Sequence, residues 1–79
     1  MEYIAQEFEQ RQWTLYQDNT NKRVYRRKDT EFFIIGKSPK GKISVSFPMK
    51  NSDCNYLTEF ENYSDVYDYV TDKLDYLDE

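Results

Sequence analysis

Between Trp13 and Phe47 apolar and polar residues alternate in short runs broken by turn-forming residues, and a period of two places successive side chains on opposite faces of an extended chain. Trp13-Thr14-Leu15-Tyr16-Gln17 is the first run, Lys22 to Arg27 the second, Glu31 to Lys37 the third and Ile43-Ser44-Val45-Ser46-Phe47 the fourth. Asp18-Asn19-Thr20-Asn21, Asp29-Thr30 and Ser38-Pro39-Lys40-Gly41 separate them, and these residue types accept tight turns. Connections this short join antiparallel neighbours, so the pattern predicts a four-stranded β-meander.

Helical spacing flanks the sheet. Ile4, Ala5 and Phe8 stand among strong helix formers and predict a short helix within Glu2 to Gln12. Pro48 ends the last strand, Lys50 to Asn55 reads as polar loop, and Tyr56 to Asn62 as a segment holding one irregular turn. Ser64 is the expected N-cap of a helix from Asp65 to about Leu77, with Tyr63, Val66, Tyr67, Val70, Leu74 and Leu77 on one face. The fold class is therefore α+β, a four-stranded antiparallel meander with a C-terminal helix packed on one face and a short N-terminal helix. A chain of 79 residues has apolar material for one core, so residues 1–79 are expected to form a single domain. With 38% apolar and 18% aromatic residues, that core must rest on Trp13, the five Phe and some of the eight Tyr.

Register follows from turn length. A two-residue turn at Asp29-Thr30 opposes Lys28 to Glu31, and a four-residue turn opposes Lys37 to Lys42. One face then carries Tyr25, Phe32, Ile34, Ile43, Val45 and Phe47 against the C-terminal helix. The other carries Val24, Arg26, Phe33, Ile35, Ser44 and Ser46, joined by Trp13 and Leu15 when Gln17 opposes Lys22. A face that apolar needs a cover, supplied by the N-terminal helix, a second copy of the chain or a ligand.

Histidine is absent, which removes the usual general base, zinc ligand and nucleophile activator, and no other catalytic constellation stands out. The chain is expected to be no enzyme and to use no metal or cofactor. One cysteine, Cys54, forms no intrachain disulfide, the first ten residues lack the pattern of a signal peptide, and no apolar run spans a bilayer. A cytoplasmic location without membrane contact is expected. Gly36 to Lys42 matches the start of a phosphate-binding loop, but Ile43 stands where a hydroxyl must bind magnesium and begins a strand where a helix must follow, so it reads as a basic β-turn.

The net charge of −4 is sorted along the chain: −3 over residues 1–21, +7 over 22–50 and −8 over 51–79. Two candidate surfaces result. On the C-terminal helix Asp65, Asp68, Asp72, Asp75 and Glu79 follow spacings of three and four, bordered by Tyr69 and Tyr76. Each like-charged neighbour pair costs about 0.2–0.5 kcal/mol. The competing explanation of this stripe is a solvated face that keeps a small protein soluble.

The leading expectation is a non-catalytic binding protein, a small regulator or inhibitor of the virus or phage accessory type. It would dock on a basic surface of a host protein through Asp65, Asp68, Tyr69, Asp72, Asp75 and Tyr76. The alternative is a single-stranded nucleic-acid binder using Arg23, Tyr25, Arg26, Arg27, Phe33 and Lys42, with rings stacking on bases and cations tracking phosphates. A homodimer joined across the second sheet face is the third reading.

Overall fold

The structure, a computed structural model, describes residues 2–50 and 54–78. Its elements in chain order are α1 (Glu2–Gln10), β1 (Thr14–Asn19), β2 (Lys22–Arg27), β3 (Glu31–Lys37), β4 (Ile43–Pro48), β5 (Asn55–Phe60) and α2 (Tyr63–Asp78). The strands form one antiparallel sheet in the order β1-β2-β3-β4-β5. The α+β meander is as expected, with five strands rather than four. Residues 55–60, expected to be loop and an irregular turn, pair with all six residues of β4. An edge strand lies half in solvent, so its sequence need not alternate cleanly to hold its place.

Turn geometry sets the register and corrects the expected one. Arg27 opposes Glu31, so the β2–β3 loop has three residues, and Lys28 and Asp29 adopt left-handed φ of 57° and 61°. At the next hairpin Lys37 opposes Ile43. Ser38 N–H donates to the Lys42 carbonyl at 2.7 Å, and Gly41 takes a φ of 80°, a conformation that favours glycine. Both hairpins differ from expectation by one residue, which turns β3 over. Phe33 and Ile35 therefore point into the core and Phe32 and Ile34 away from it, the reverse of the expected assignment. Across β1–β2, Gln17 opposes Val24 rather than Lys22, with a bulge between Leu15 and Gln17.

Both helices cover the same face of the sheet. The core joins Ile4, Phe8 and Trp13 to Tyr25, Phe33, Ile35, Ile43, Val45 and Phe47 of the sheet and to Val66, Val70, Leu74 and Leu77 of α2. The expectation that α1 might cover the second face is thus corrected. Phe8 stacks on Tyr25 with centroids 3.9 Å apart and meets Phe33 edge-on at 5.0 Å, placing α1 over β2 and β3. The helix exit directs it there. Gln12, at φ 65°, sends its N–H to the Glu9 carbonyl while Trp13 N–H reaches the Phe8 carbonyl at 2.9 Å, the paired bonds of a Schellman end. The accompanying apolar contact is Trp13 against Phe8, centroids 5.8 Å apart.

The opposite face carries Val24, Arg26, Phe32, Ile34, Ser44 and Ser46, with Leu57 and Glu59 added by register from β5. The Arg26 guanidinium lies 4.5 Å from the Tyr16 ring centre, and that ring meets Phe32 edge-on at 5.9 Å. These contacts form a small aromatic and cationic cluster on the open side.

Candidate docking surface on the C-terminal helix

Asn62 positions α2. Its side-chain oxygen accepts the Asp65 N–H at 3.1 Å and its carbonyl accepts the Val66 N–H, so Asn62 is the N-cap and Tyr63 the first helical residue. Ser64, the expected cap, instead donates its hydroxyl to Asn62 at 2.8 Å. The helix thereby starts two residues earlier than expected. Asp65 falls in the first turn, where a negative charge complements the helix dipole.

With Val66, Val70, Leu74 and Leu77 buried, a step of 100° per residue fixes the other faces of α2. Tyr69, Lys73 and Tyr76 lie on the flank toward β5, and Thr71 and Asp78 lie toward α1. Asp65, Asp68, Asp72 and Asp75 occupy the outer surface, with Asp65 and Asp72 bordering the β5 flank.

Packing divides the acidic stripe into two halves of different character. The last turn of α2 contains no basic residue of its own. Two arginines from elsewhere supply the charge. Arg11 donates to Asp75 at 2.7 Å and to the Glu7 carboxylate at 3.0 Å, and it approaches Asp78 at 3.9 Å. Hydrogen bonding to Asp75 is the largest influence on Arg11 and holds its pKa above the ordinary arginine value. Arg27 pairs with Asp78, bonds Glu31 at 3.0 Å and reaches the Leu77 carbonyl at 3.4 Å. Its side chain is only 10% exposed and its guanidinium lies 4.7 Å over the Trp13 ring, so it is a packed cation at the helix C-terminus. Burial opposes its charge, yet the bonds to Glu31 and Asp78 leave its pKa raised. Asp65 and Asp68 remain exposed, as does Asp72, whose carboxylate lies 3.5 Å from the ammonium of Lys73. Glu79, the last member of the expected stripe, lies outside the described residues.

Beside this half of the stripe runs a groove of about 460 Å³ between α2 and the β4–β5 hairpin. Phe47 forms its floor, Met49, Tyr56 and Thr58 line the sheet side, and Tyr69, Lys73 and Tyr76 line the helix side. The Tyr69 and Thr58 hydroxyls are 3.3 Å apart, Tyr69 packs on Phe60 with centroids 4.9 Å apart, and Tyr69 and Tyr76 both meet Phe47 edge-on. The Lys73 ammonium sits 5.1 Å from the Tyr69 centre and 5.5 Å from that of Phe47. A wall of partly buried rings beside exposed carboxylates offers apolar contact area and orienting charge together, as protein interfaces do.

Of the six residues expected at a protein interface, Tyr69 and Tyr76 line this groove, Asp65 and Asp72 border it, and Asp68 lies on the outer surface of α2 near Asp75. Asp75 is engaged by Arg11. Met49, Tyr56 and Thr58 were missing from the sequence-based set; the spacing of Tyr56, Thr58 and Phe60 is a weak strand signal for two of them, and nothing in the sequence marks Met49. The six residues of the nucleic-acid alternative are not brought together. Tyr25 and Phe33 are 3% and 0% exposed in the core, so neither ring can stack on a base. Arg23 pairs with Asp18 at 3.3 Å, Arg27 is packed beneath α2, and Arg26 lies on the opposite face of the sheet. Lys42 belongs to the β3–β4 turn, where its N–H donates to the Ser38 hydroxyl.

Among the described residues no group of three or more Asp, Glu, Cys or His is arranged to hold a metal ion, and no helix is long and apolar enough to cross a membrane. Compared with known proteins, the chain matches no family model, no curated protein and no solved structure.

Proposed function

We propose that the chain is a non-catalytic binding protein that docks on a basic surface of another protein through the outer and β5-facing sides of α2. Asp65, Asp68 and Asp72 provide the orienting charge, and Tyr69 and Tyr76 the contact area beside them. The observation that carries this reading is the unequal fate of the acidic stripe. Arg11 and Arg27 reach Asp75 and Asp78 from other elements, while Asp65 and Asp72, the latter near Lys73 of the same helix, stay exposed at the border of an aromatic groove, with Asp68 exposed on the outer surface of α2. Carboxylates one turn apart repel by about 0.2–0.5 kcal/mol per pair, a cost that a basic partner surface would turn into attraction. A chain of this size with such a surface suits a small regulator or inhibitor of the viral accessory type, acting in the cytoplasm.

The test is affinity capture from the native cell extract, with Asp65→Lys, Asp68→Lys and Asp72→Lys combined as the control. The reading expects a basic protein retained by the natural sequence and lost with the triple variant, while circular dichroism shows the helix intact. A partner retained equally by both proteins would sink it.

A further inference from the structure

The two edges of the sheet are built differently. β1 is interrupted by a bulge between Leu15 and Gln17, a device that bends an edge away from intruding strands. β5 has no such interruption. Its register with β4 is continuous over six pairs, and its sequence Asn55-Tyr56-Leu57-Thr58-Glu59-Phe60 holds neither lysine nor proline. Met49 N–H donates to the Cys54 carbonyl, and antiparallel pairing alternates from that bond. Tyr56, Thr58 and Phe60 therefore bond β4, whereas Asn55, Leu57 and Glu59 direct their N–H and C=O groups outward. Leu57, in the middle of the strand, is 64% exposed.

A strand added to this edge must match two unlike faces. On the helix side it meets Tyr56, Thr58 and the rings of the groove, and on the open side Asn55, Leu57 and Glu59. Charge around the groove is of both signs. Lys50 lies 4.9 Å over the Tyr76 ring at one end, Lys73 stands 3.5 Å from Asp72, and Asp65 borders the other end. The edge therefore selects neither a basic nor an acidic strand, and a mixed surface of this kind suits a copy of itself.

β5 matches both faces when turned about a two-fold axis at Leu57. Leu57 then opposes Leu57 of the second copy, Asn55 opposes Glu59 and Tyr56 opposes Thr58, so no like charges face each other along the strand pair. The outward groups of Asn55, Leu57 and Glu59 find their backbone partners in this register. Tyr56 comes beside Thr58 of the second copy, whose hydroxyl is 3.3 Å from that of Tyr69. The same rotation brings the end carrying Lys50 toward the end where β5 of the other copy runs on to Glu61 and Asp65. On the open side Val24, Ile34, Ser46 and Leu57 stand opposite one another in successive strands, and the axis continues that row into the second copy.

We infer that the chain forms a symmetric dimer by antiparallel pairing of β5 with β5 of a second copy, centred on Leu57, so that the two five-stranded sheets become one. The pairing closes on itself and leaves neither β5 edge open. It runs along the sheet edge rather than across the open face. The outer surface of α2 stays accessible, so the dimer goes beyond the docking function without depending on it.

Six residues of edge make a small interface, and the dissociation constant is expected on the order of 100 µM. Sedimentation of the full chain from about 10 µM to about 1 mM should show monomer passing to dimer, with amide exchange at Leu57 and Glu59 slowing over the same range. Leu57→Lys sets two ammonium groups against each other at the axis and should weaken association about tenfold or more, with the melting temperature of the dilute chain unchanged. Asn55→Lys and Asn55→Glu separate pairing from folding, because both lose the same side-chain bonds to Ser46 and to the Phe32 carbonyl. The introduced lysine faces Glu59 of the other copy and the introduced glutamate repels it, so the lysine variant should associate about tenfold more tightly than the glutamate variant. A chain still monomeric at about 1 mM, which would leave the edge to a different occupant, overturns the inference. So does a dimer that Leu57→Lys does not weaken, or equal association of the two Asn55 variants. Each of these results leaves docking through α2 standing, since that reading is tested by the Asp65, Asp68 and Asp72 triple variant.

Discussion

Asn62 and Gln12 show how much single residues decide at the helix ends. Asn62 satisfies an N–H of the first turn of α2, whereas Ser64 bonds only to Asn62. Asn62→Ala is expected to lower stability by about 0.5–2 kcal/mol, and Ser64→Ala by a few tenths at most, as read from urea midpoints. Equal effects would show that the cap is not at Asn62. Gln12 holds a left-handed conformation that a side chain adopts at some cost. Gln12→Gly should leave stability unchanged or raise it by up to about 1 kcal/mol despite the added freedom of the unfolded chain. A loss above that size would contradict the observed φ.

At the scale of elements, the C-terminal end of α2 depends on α1 and β2 for its cations. Arg27 is more buried than Arg11, and its removal strands Glu31 as well as Asp78. Arg27→Met should therefore cost about 1–3 kcal/mol, because a partly buried carboxylate loses its partner. Arg11→Met should cost under about 1 kcal/mol, since Asp75 is 67% exposed and water replaces most of the pair. The same division predicts opposite signs along the stripe. Asp68→Lys removes repulsion on α2 and should be neutral or slightly stabilising, whereas Asp75→Lys faces Arg11 and should destabilise. Thermal melts of the two variants would check this, and equal shifts would mean that the stripe is electrostatically uniform.

At the scale of the whole molecule, one residue of turn length decides which of two adjacent phenylalanines is core. Phe33 is fully enclosed, while Phe32 lies on the open face against Tyr16. Phe33→Ala is expected to cost about 3–5 kcal/mol, a large share of the stability of so small a domain. Phe32→Ala should cost much less, and a reversed order in denaturant titrations would restore the register read from the turn sequences.

Alternation from Trp13 to Phe47 determined an antiparallel meander, and the spacing of Val66, Val70, Leu74 and Leu77 determined the helix that covers it. These periods are local, set by backbone geometry within a few residues, and so are legible in a sequence. The face on which β3 presents Phe33 and Ile35 was not, because Phe32, Phe33, Ile34 and Ile35 are apolar in succession and either pair could serve as core. Left-handed Lys28 and Asp29 lengthened the turn and settled the choice. β5 was equally hidden, since its place comes from long-range pairing with β4 rather than from any strong pattern of its own. The candidate surface divides in the same way. The line of aspartates on α2 was visible as a spacing of three and four. Which of them are paired from other elements depended on where Arg11 and Arg27 arrive. The groove beside Tyr69 and Tyr76 exists only because the fifth strand brings Tyr56 and Thr58 beneath them. Periodicity is a property of neighbours along the chain, whereas neutralisation and enclosure are properties of neighbours in space, and only the folded molecule brings those together.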